Sequence, residues 1–246
     1  MVERRNKDVT PVGAPGQPAR PSGRAEVDAF LDKVAAMPRP ARAAGTRGRL
    51  LFGMDATASR EPTWDQACHI QGEMFAATQA LGGLDVKLVF YRGLGELKAS
   101  GWTASGVELA RLMTSVRCLA GQTQIGSLIR HAAEESRKQR IDAVVFVGDC
   151  FEEEIDTVGA TAGELGLLGT PVFMFHEGFD STAERAYRQI ARLTGGAYVR
   201  FDLSSPAELK RLLGAVAAYA AGGRKAMLEY GRREGGMALL LTHQMK

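Results

Sequence analysis

From Arg49 onward, short apolar runs alternate with longer stretches in which apolar residues recur every three or four positions. The runs at 49–54, 85–91, 96–101, 142–148, 171–176 and 197–201 read as strands. The stretches at 63–81, 105–117, 124–139, 156–168, 181–194 and 205–221 read as helices. Thr63 and Gln66 form a capping box, and Trp64, Ala67, Met74, Phe75, Thr78 and Leu81 mark one face of the first of these helices. Ser205-Pro206 opens the last. Most of the strand runs are strongly apolar, as strands buried on both faces are. Interleaved with helices, they predict an α/β fold: a doubly wound, mostly parallel, Rossmann-like sheet with helices on both sides. One pair breaks the alternation. Val86–Tyr91 and Leu97–Trp102 are joined by Arg92-Gly93-Leu94-Gly95-Glu96, too short for a crossover, so one edge strand is antiparallel.

The flanks read differently. Residues 1–24 are rich in Pro, Gly, Ala and Arg without periodicity and predict a disordered tail. Residues 25–47 give a short helix, with Phe30, Leu31, Val34 and Met37 on one side, then a Pro38-Arg39-Pro40 stop and a linker. The alternating region, 48–221, is the domain. Gly222-Gly223 breaks the final helix, and 222–246 is an extension with a second helix around 224–234 and an unassigned apolar piece at 237–243.

Charge sharpens this division. The net charge of +3 conceals a basic first 49 residues, with ten Lys/Arg against five Asp/Glu, and a body with 21 against 23. A nucleic-acid binder concentrates its basic residues on a folded face, so nucleic acid is an unlikely partner here. Cys68, Cys118 and Cys150 are scattered and odd in number, which argues against a disulfide framework or a CxxC zinc site and for a reducing compartment. No signal-like apolar segment follows Met1-Val2-Glu3-Arg4-Arg5, and no run is long enough to cross a membrane. The expectation is a soluble, cytoplasmic chain.

Candidate chemistry lies where the strands end. In a doubly wound sheet, ligands bind beyond the carboxyl ends of the strands. Asp55-Ala56-Thr57-Ala58-Ser59 follows the first strand, Gly121-Gln122-Thr123-Gln124-Ile125-Gly126 opens a helix, and Asp149 ends Ala143–Gly148. Together they offer two carboxylates and three hydroxyls, a donor set suited to a hard cation such as Mg2+ or Mn2+. The same residues also suit ordinary turn and cap chemistry.

Asp-x-Thr-x-Ser, then Gly-x-Thr-x-x-Gly, then a strand-terminal Asp, together with the hairpin, resembles the von Willebrand factor A (VWA) domain family, in its bacterial intracellular form, over roughly residues 48–221. Thr57 replaces the more usual serine but keeps the hydroxyl, as copine-like members do. The resemblance implies a metal-ion-dependent adhesion site with Thr57, Ser59 and Thr123 as inner ligands and Asp55 and Asp149 acting directly or through water. It implies a binding module without catalytic residues, an adaptor or assembly subunit whose Mg2+ (or Mn2+) takes a carboxylate of a protein partner, with no small-molecule substrate.

Some features fit less neatly. Glu152-Glu153-Glu154 and Asp156 follow Asp149 and would repel an acidic partner if they faced the metal. The plainer reading is an acidic first turn favoured by its own helix dipole. His176-Glu177 ends the fifth strand on the same rim, with the histidine read as structural, and Cys150 is expected to be unreactive in acidic surroundings. An alternative reading is a Mg2+-dependent phosphatase of the haloacid-dehalogenase kind with Asp55 as nucleophile. Thr57 stands where such enzymes carry an acid/base aspartate, and the hairpin is foreign to them. A chelatase-type accessory subunit working with an ATPase is a third possibility, within the same family.

Overall fold

A computed structural model of the chain describes residues 47–61, 83–201 and 206–233, with the single positions 29 and 33. The sequence-based tail at 1–24, the helix at 63–81 and the segment 237–243 lie outside the described residues. Of the 25–37 helix only positions 29 and 33 are described, both helical.

The strands are β1 (Gly48–Asp55), β2 (Leu84–Arg92), β3 (Glu96–Ala99), β4 (Ala143–Gly148), β5 (Val172–Glu177) and β6 (Ala197–Phe201). They form one sheet in the order β3-β2-β1-β4-β5-β6. Every pairing is parallel except β2 with β3, the antiparallel edge hairpin. Gly93 and Gly95 make its turn at φ 58° and 83°, backbone values that favour glycine. The helices are α1 (Gly106–Thr114), α2 (Ile125–Lys138), α3 (Ile155–Leu167), α4 (Ser181–Leu193) and α5 (Pro206–Arg233).

Strand periodicity divides the core between the two faces. Leu50, Phe52, Met54, Val145, Val147, Phe173 and Phe175 meet Leu109 and Met113 of α1 and Leu212–Ala221 of α5. On the other face, Leu51, Val144, Phe146, Val172 and Met174 meet Leu128 and Ile129 of α2, Val158 of α3 and Tyr187 and Ile190 of α4. β1 lies between β2 and β4 and is buried along its whole length, which accounts for its unbroken apolar character.

Several element ends differ by a residue or two from the sequence-based reading, and α1 differs most. α1 stops at Thr114 rather than 117, because the Thr114 and Ser115 hydroxyls donate back to the carbonyls of Arg111 and Leu112. α5 is interrupted at Gly223 (φ 68°, ψ −164°), as the Gly-Gly pair suggested, and its second limb returns Ala226 and Tyr230 to the core.

Candidate functional site at the carboxyl rim of β1 and β4

Because β1 and β4 are parallel neighbours, their ends bring Asp55 and Asp149 to one place. Carboxylate oxygens of both and the Cys150 sulfur lie within 4.8 Å of one another. Asp55 is fully buried. Its Oδ1 accepts from the Thr57 backbone N–H at 2.7 Å and its Oδ2 from the Tyr91 hydroxyl at 3.0 Å. Burial raises the Asp55 pKa; the Thr57 hydrogen bonds oppose this, the Asp149 charge adds to it, and the Tyr91 hydrogen bond opposes it. Asp149 is half-buried, and its Oδ1 is shut off from solvent without a hydrogen-bond partner among the described residues. An orphaned carboxylate oxygen beside a second carboxylate is costly unless something else occupies the space.

Thr57 precedes a short 3-10 turn, Ala58–Arg60, and Ser59 lies within it; their hydroxyls are 3.1 Å apart. Thr123 reaches the rim through the loop before α2. Its hydroxyl accepts from the Glu152 N–H at 2.9 Å and its own N–H donates to Glu152 Oε2 at 3.1 Å, tying it to the segment after Asp149. The same loop is fixed to the hairpin by Gln124 Nε2, which donates to the Arg92 and Gly93 carbonyls, and by the Gln122 N–H on Gly93 O. Gly121 is required there, since a Cβ would come within 2.0 Å of Gly93 O. Ala56 completes the frame, donating to Tyr91 O and accepting from Leu119 N–H.

The acidic run behaves differently from the sequence-based expectation. α3 begins at Ile155 with Glu154 at its N-cap position, and the two glutamates before that, Glu152 and Glu153, serve the start of α2 instead. Glu153 accepts the N–H groups of Ile125 (2.5 Å) and Gly126 (3.0 Å), supplying the cap that Gln124 does not. Glu152 is engaged with Thr123, so both are spent on the scaffold.

Sequence reasoning missed two other participants. Tyr91 is directly opposite Asp55 in the β1–β2 register, which only the pairing reveals. Arg60 is buried and ion-paired with Glu177 at the end of β5. His176 is buried, shares a hydrogen bond with Tyr198 through Nδ1 at 3.0 Å, and has its pKa lowered by burial and then by the Arg200 charge. It is a structural histidine, as expected. The Cys150 thiol is pushed far up, first by burial and then by Asp149, which makes it a poor nucleophile.

No protein-family model matches this chain, and no curated protein matches it. Solved structures do. The SpRpn10 VWA domain superposes with a TM-score of 0.53 at 13% identity, covering 72% of this chain and 98% of that one. The von Willebrand factor type A protein from Catenulispora acidiphila gives 0.57 at 13% identity, over 70% of this chain and 43% of that one. Proximal thread matrix protein 1 from the mussel byssus, solved with a zinc-occupied MIDAS motif, gives 0.53 at 12% identity, over 70% and 46%. The chain has the VWA fold. It spans less than half of the Catenulispora and mussel chains. Among the described residues, no helix is long and apolar enough to cross a membrane.

Proposed function

We propose that this VWA-fold chain is a metal-dependent protein-binding module that holds a divalent cation at the β1–β4 rim and engages a partner protein through it. The observation that carries the proposal is the convergence of Asp55 and Asp149, with the buried Asp149 Oδ1 lacking a partner among the described residues. The residues fit such an ion. Two carboxylates with the Thr57 and Ser59 hydroxyls are hard oxygen donors, which favours Mg2+ or Mn2+. Thr57, Ser59 and Thr123 would hold the ion together with Asp55 and Asp149. Bound there, it would supply a Lewis-acidic position for a partner carboxylate. Glu152 and Glu153 are hydrogen-bonded to the α2 loop, which directs their carboxylates to backbone N–H groups and weakens the repulsion their sequence position suggested.

In this reading the chain is an adaptor or assembly subunit rather than an enzyme. The free cysteines Cys118 and Cys150 suit a reducing, cytoplasmic setting. Nothing at the rim favours the phosphatase alternative: Thr57, standing where such enzymes carry an acid/base aspartate, offers a hydroxyl 3.1 Å from that of Ser59.

The test is affinity capture with wild type and Asp55→Ala, each in Mg2+ and in EDTA. The expected result is a partner retained only by wild type in Mg2+. The same partner retained by wild type in EDTA, or by Asp55→Ala, would overturn the reading.

A further inference from the structure

The metal reading leaves one buried charge at the rim unexplained. Arg60 ends the 3-10 turn, its N–H donating to Thr57 O at 3.0 Å, and its side chain is only 1% exposed. Arginine is almost never buried to that extent unless paired. Its Nη1 pairs with Glu177, the last residue of β5. The strand order gives that pairing its meaning. β4 lies between β1 and β5, and neighbouring strands are about 4.8 Å apart, so the loop after β1 and the end of β5 are separated by roughly 10 Å. A side chain that starts after β1 and pairs at the end of β5 has to cross the end of β4. There Gly148 pairs with His176, and Asp149 follows. The guanidinium therefore lies over the same crevice as the two aspartates. The electrostatics agree: burial lowers the Arg60 pKa, while the charges of Asp149 and then Asp55 act to keep it protonated.

We propose that Arg60 is a resident counter-cation of the Asp55–Asp149 pair, held toward β5 by Glu177, and that it sets how tightly the rim takes a divalent ion. The inference rests on the metal reading above. Two carboxylates alone present a dication with two full negative charges; a fixed guanidinium facing the same crevice offsets part of that attraction, and in a partly desolvated crevice the loss is large. Arginine cannot shed its proton, so it modulates the site through position and not through titration. Glu177 opposes it twice, by adding a negative charge to the crevice and by drawing the guanidinium away from the aspartates. The rim is thereby set to weak, exchangeable metal binding, in which the ion comes and goes while the fold keeps an internal cation.

The test is Mn2+ titration of the intact chain by calorimetry, after chelator treatment and with circular dichroism as a check on folding. Arg60→Met keeps the length and apolar stem and removes the charge; Mn2+ should bind at least about tenfold more tightly. Its melting temperature should fall in EDTA and recover in Mn2+. Glu177→Gln should weaken Mn2+ binding at least about threefold. Equal affinity in wild type and Arg60→Met would overturn the role of Arg60 while the metal reading stands. Absence of Mn2+ uptake by folded wild type and by both variants would overturn the metal reading and this inference with it. If Arg60→Met does not fold, Glu177→Gln decides: unchanged or tighter binding overturns the proposal.

Discussion

At the amino end of β1, Arg49 meets Asp142, Gln139 and Trp102; at the carboxyl end, six residues on, Asp55 meets Asp149. The amino end is a closed account of charge. The Arg49 N–H donates to Asp142 Oδ2 at 2.9 Å, the Asp142 N–H returns to Arg49 O at 2.9 Å, and the guanidinium donates to Gln139 O at 2.6 Å while lying 3.8 Å from the Trp102 ring centroid. Nearby, Glu135 accepts from Lys87, Trp102 and Lys138. Each of these named donors and acceptors meets a partner of the opposite kind. At the carboxyl rim like charges converge and Asp149 Oδ1 has no hydrogen-bond partner among the described residues. A satisfied buried network holds one structure in place. Unsatisfied polar groups at a strand end are what a protein keeps for binding, at some cost in stability. The two ends therefore should respond to mutation in opposite ways.

The largest effect is expected at the closed end. Asp142→Ala leaves the buried Arg49 N–H without its acceptor and removes the carboxylate 3.7 Å from the Arg140 guanidinium, and should cost about 2–3 kcal/mol in urea denaturation. Mn2+ binding at the opposite end should be unchanged. A loss of metal affinity in folded Asp142→Ala would break the division between the two ends.

Asp149→Asn should do the reverse. The change keeps the shape but removes one of two converging charges, so Mn2+ affinity should fall about a hundredfold, equivalent to roughly 2.7 kcal/mol. Stability in EDTA should stay within about 1 kcal/mol of wild type, because the lost repulsion with Asp55 offsets the lost attraction to Arg60. Calorimetry and denaturation on the same preparation separate the two quantities. A stability loss comparable to that of Asp142→Ala would mean that the rim is structural after all.

Glu153 is an intermediate case, a charge at the rim that serves the scaffold. Glu153→Ala strips the N–H groups of Ile125 and Gly126 at the start of α2, and should cost about 1–2 kcal/mol. Glu154→Ala is the control: its side chain caps nothing at the start of α3, so its effect should be within about 0.5 kcal/mol.

What the sequence made legible follows the same line. Apolar runs located β1, β4 and β5, and the five-residue connection identified the antiparallel β3, because both signals are local. Asp55 and Asp149 were placed at one rim by a topological rule about where parallel strands end, and the sheet order confirms their adjacency. The contacts that depend on which strand lies beside which were invisible. Tyr91 on Asp55 needs the β1–β2 register, Arg60 on Glu177 needs β4 between β1 and β5, and Glu153 on α2 needs two segments 28 residues apart in sequence to meet. A run of three glutamates before a helix suggests that helix's own dipole, and only tertiary placement shows it serving another.

The smallest expected effect tests the closed end through pH. Burial alone would raise the Glu135 pKa, but the hydrogen bonds from Lys138, Lys87 and Trp102 together outweigh it and bring it down to about 2 from an ordinary 4.5. A carboxylate whose folded pKa is depressed contributes stability that is complete above its unfolded value and is lost as pH falls through the folded one. The window is therefore from about pH 4.5 down toward 2. With solvent screening of the neighbouring lysines, the contribution should be about 1 kcal/mol. Glu135→Gln should lower stability at pH 7 by that amount and converge on wild type at the acid end of the window. Denaturation midpoints for the two proteins between pH 7 and 3 give the comparison directly. If the gap between them stays constant as pH falls, Glu135 contributes through packing rather than charge, and the closed end is held by Arg49 and Asp142 alone.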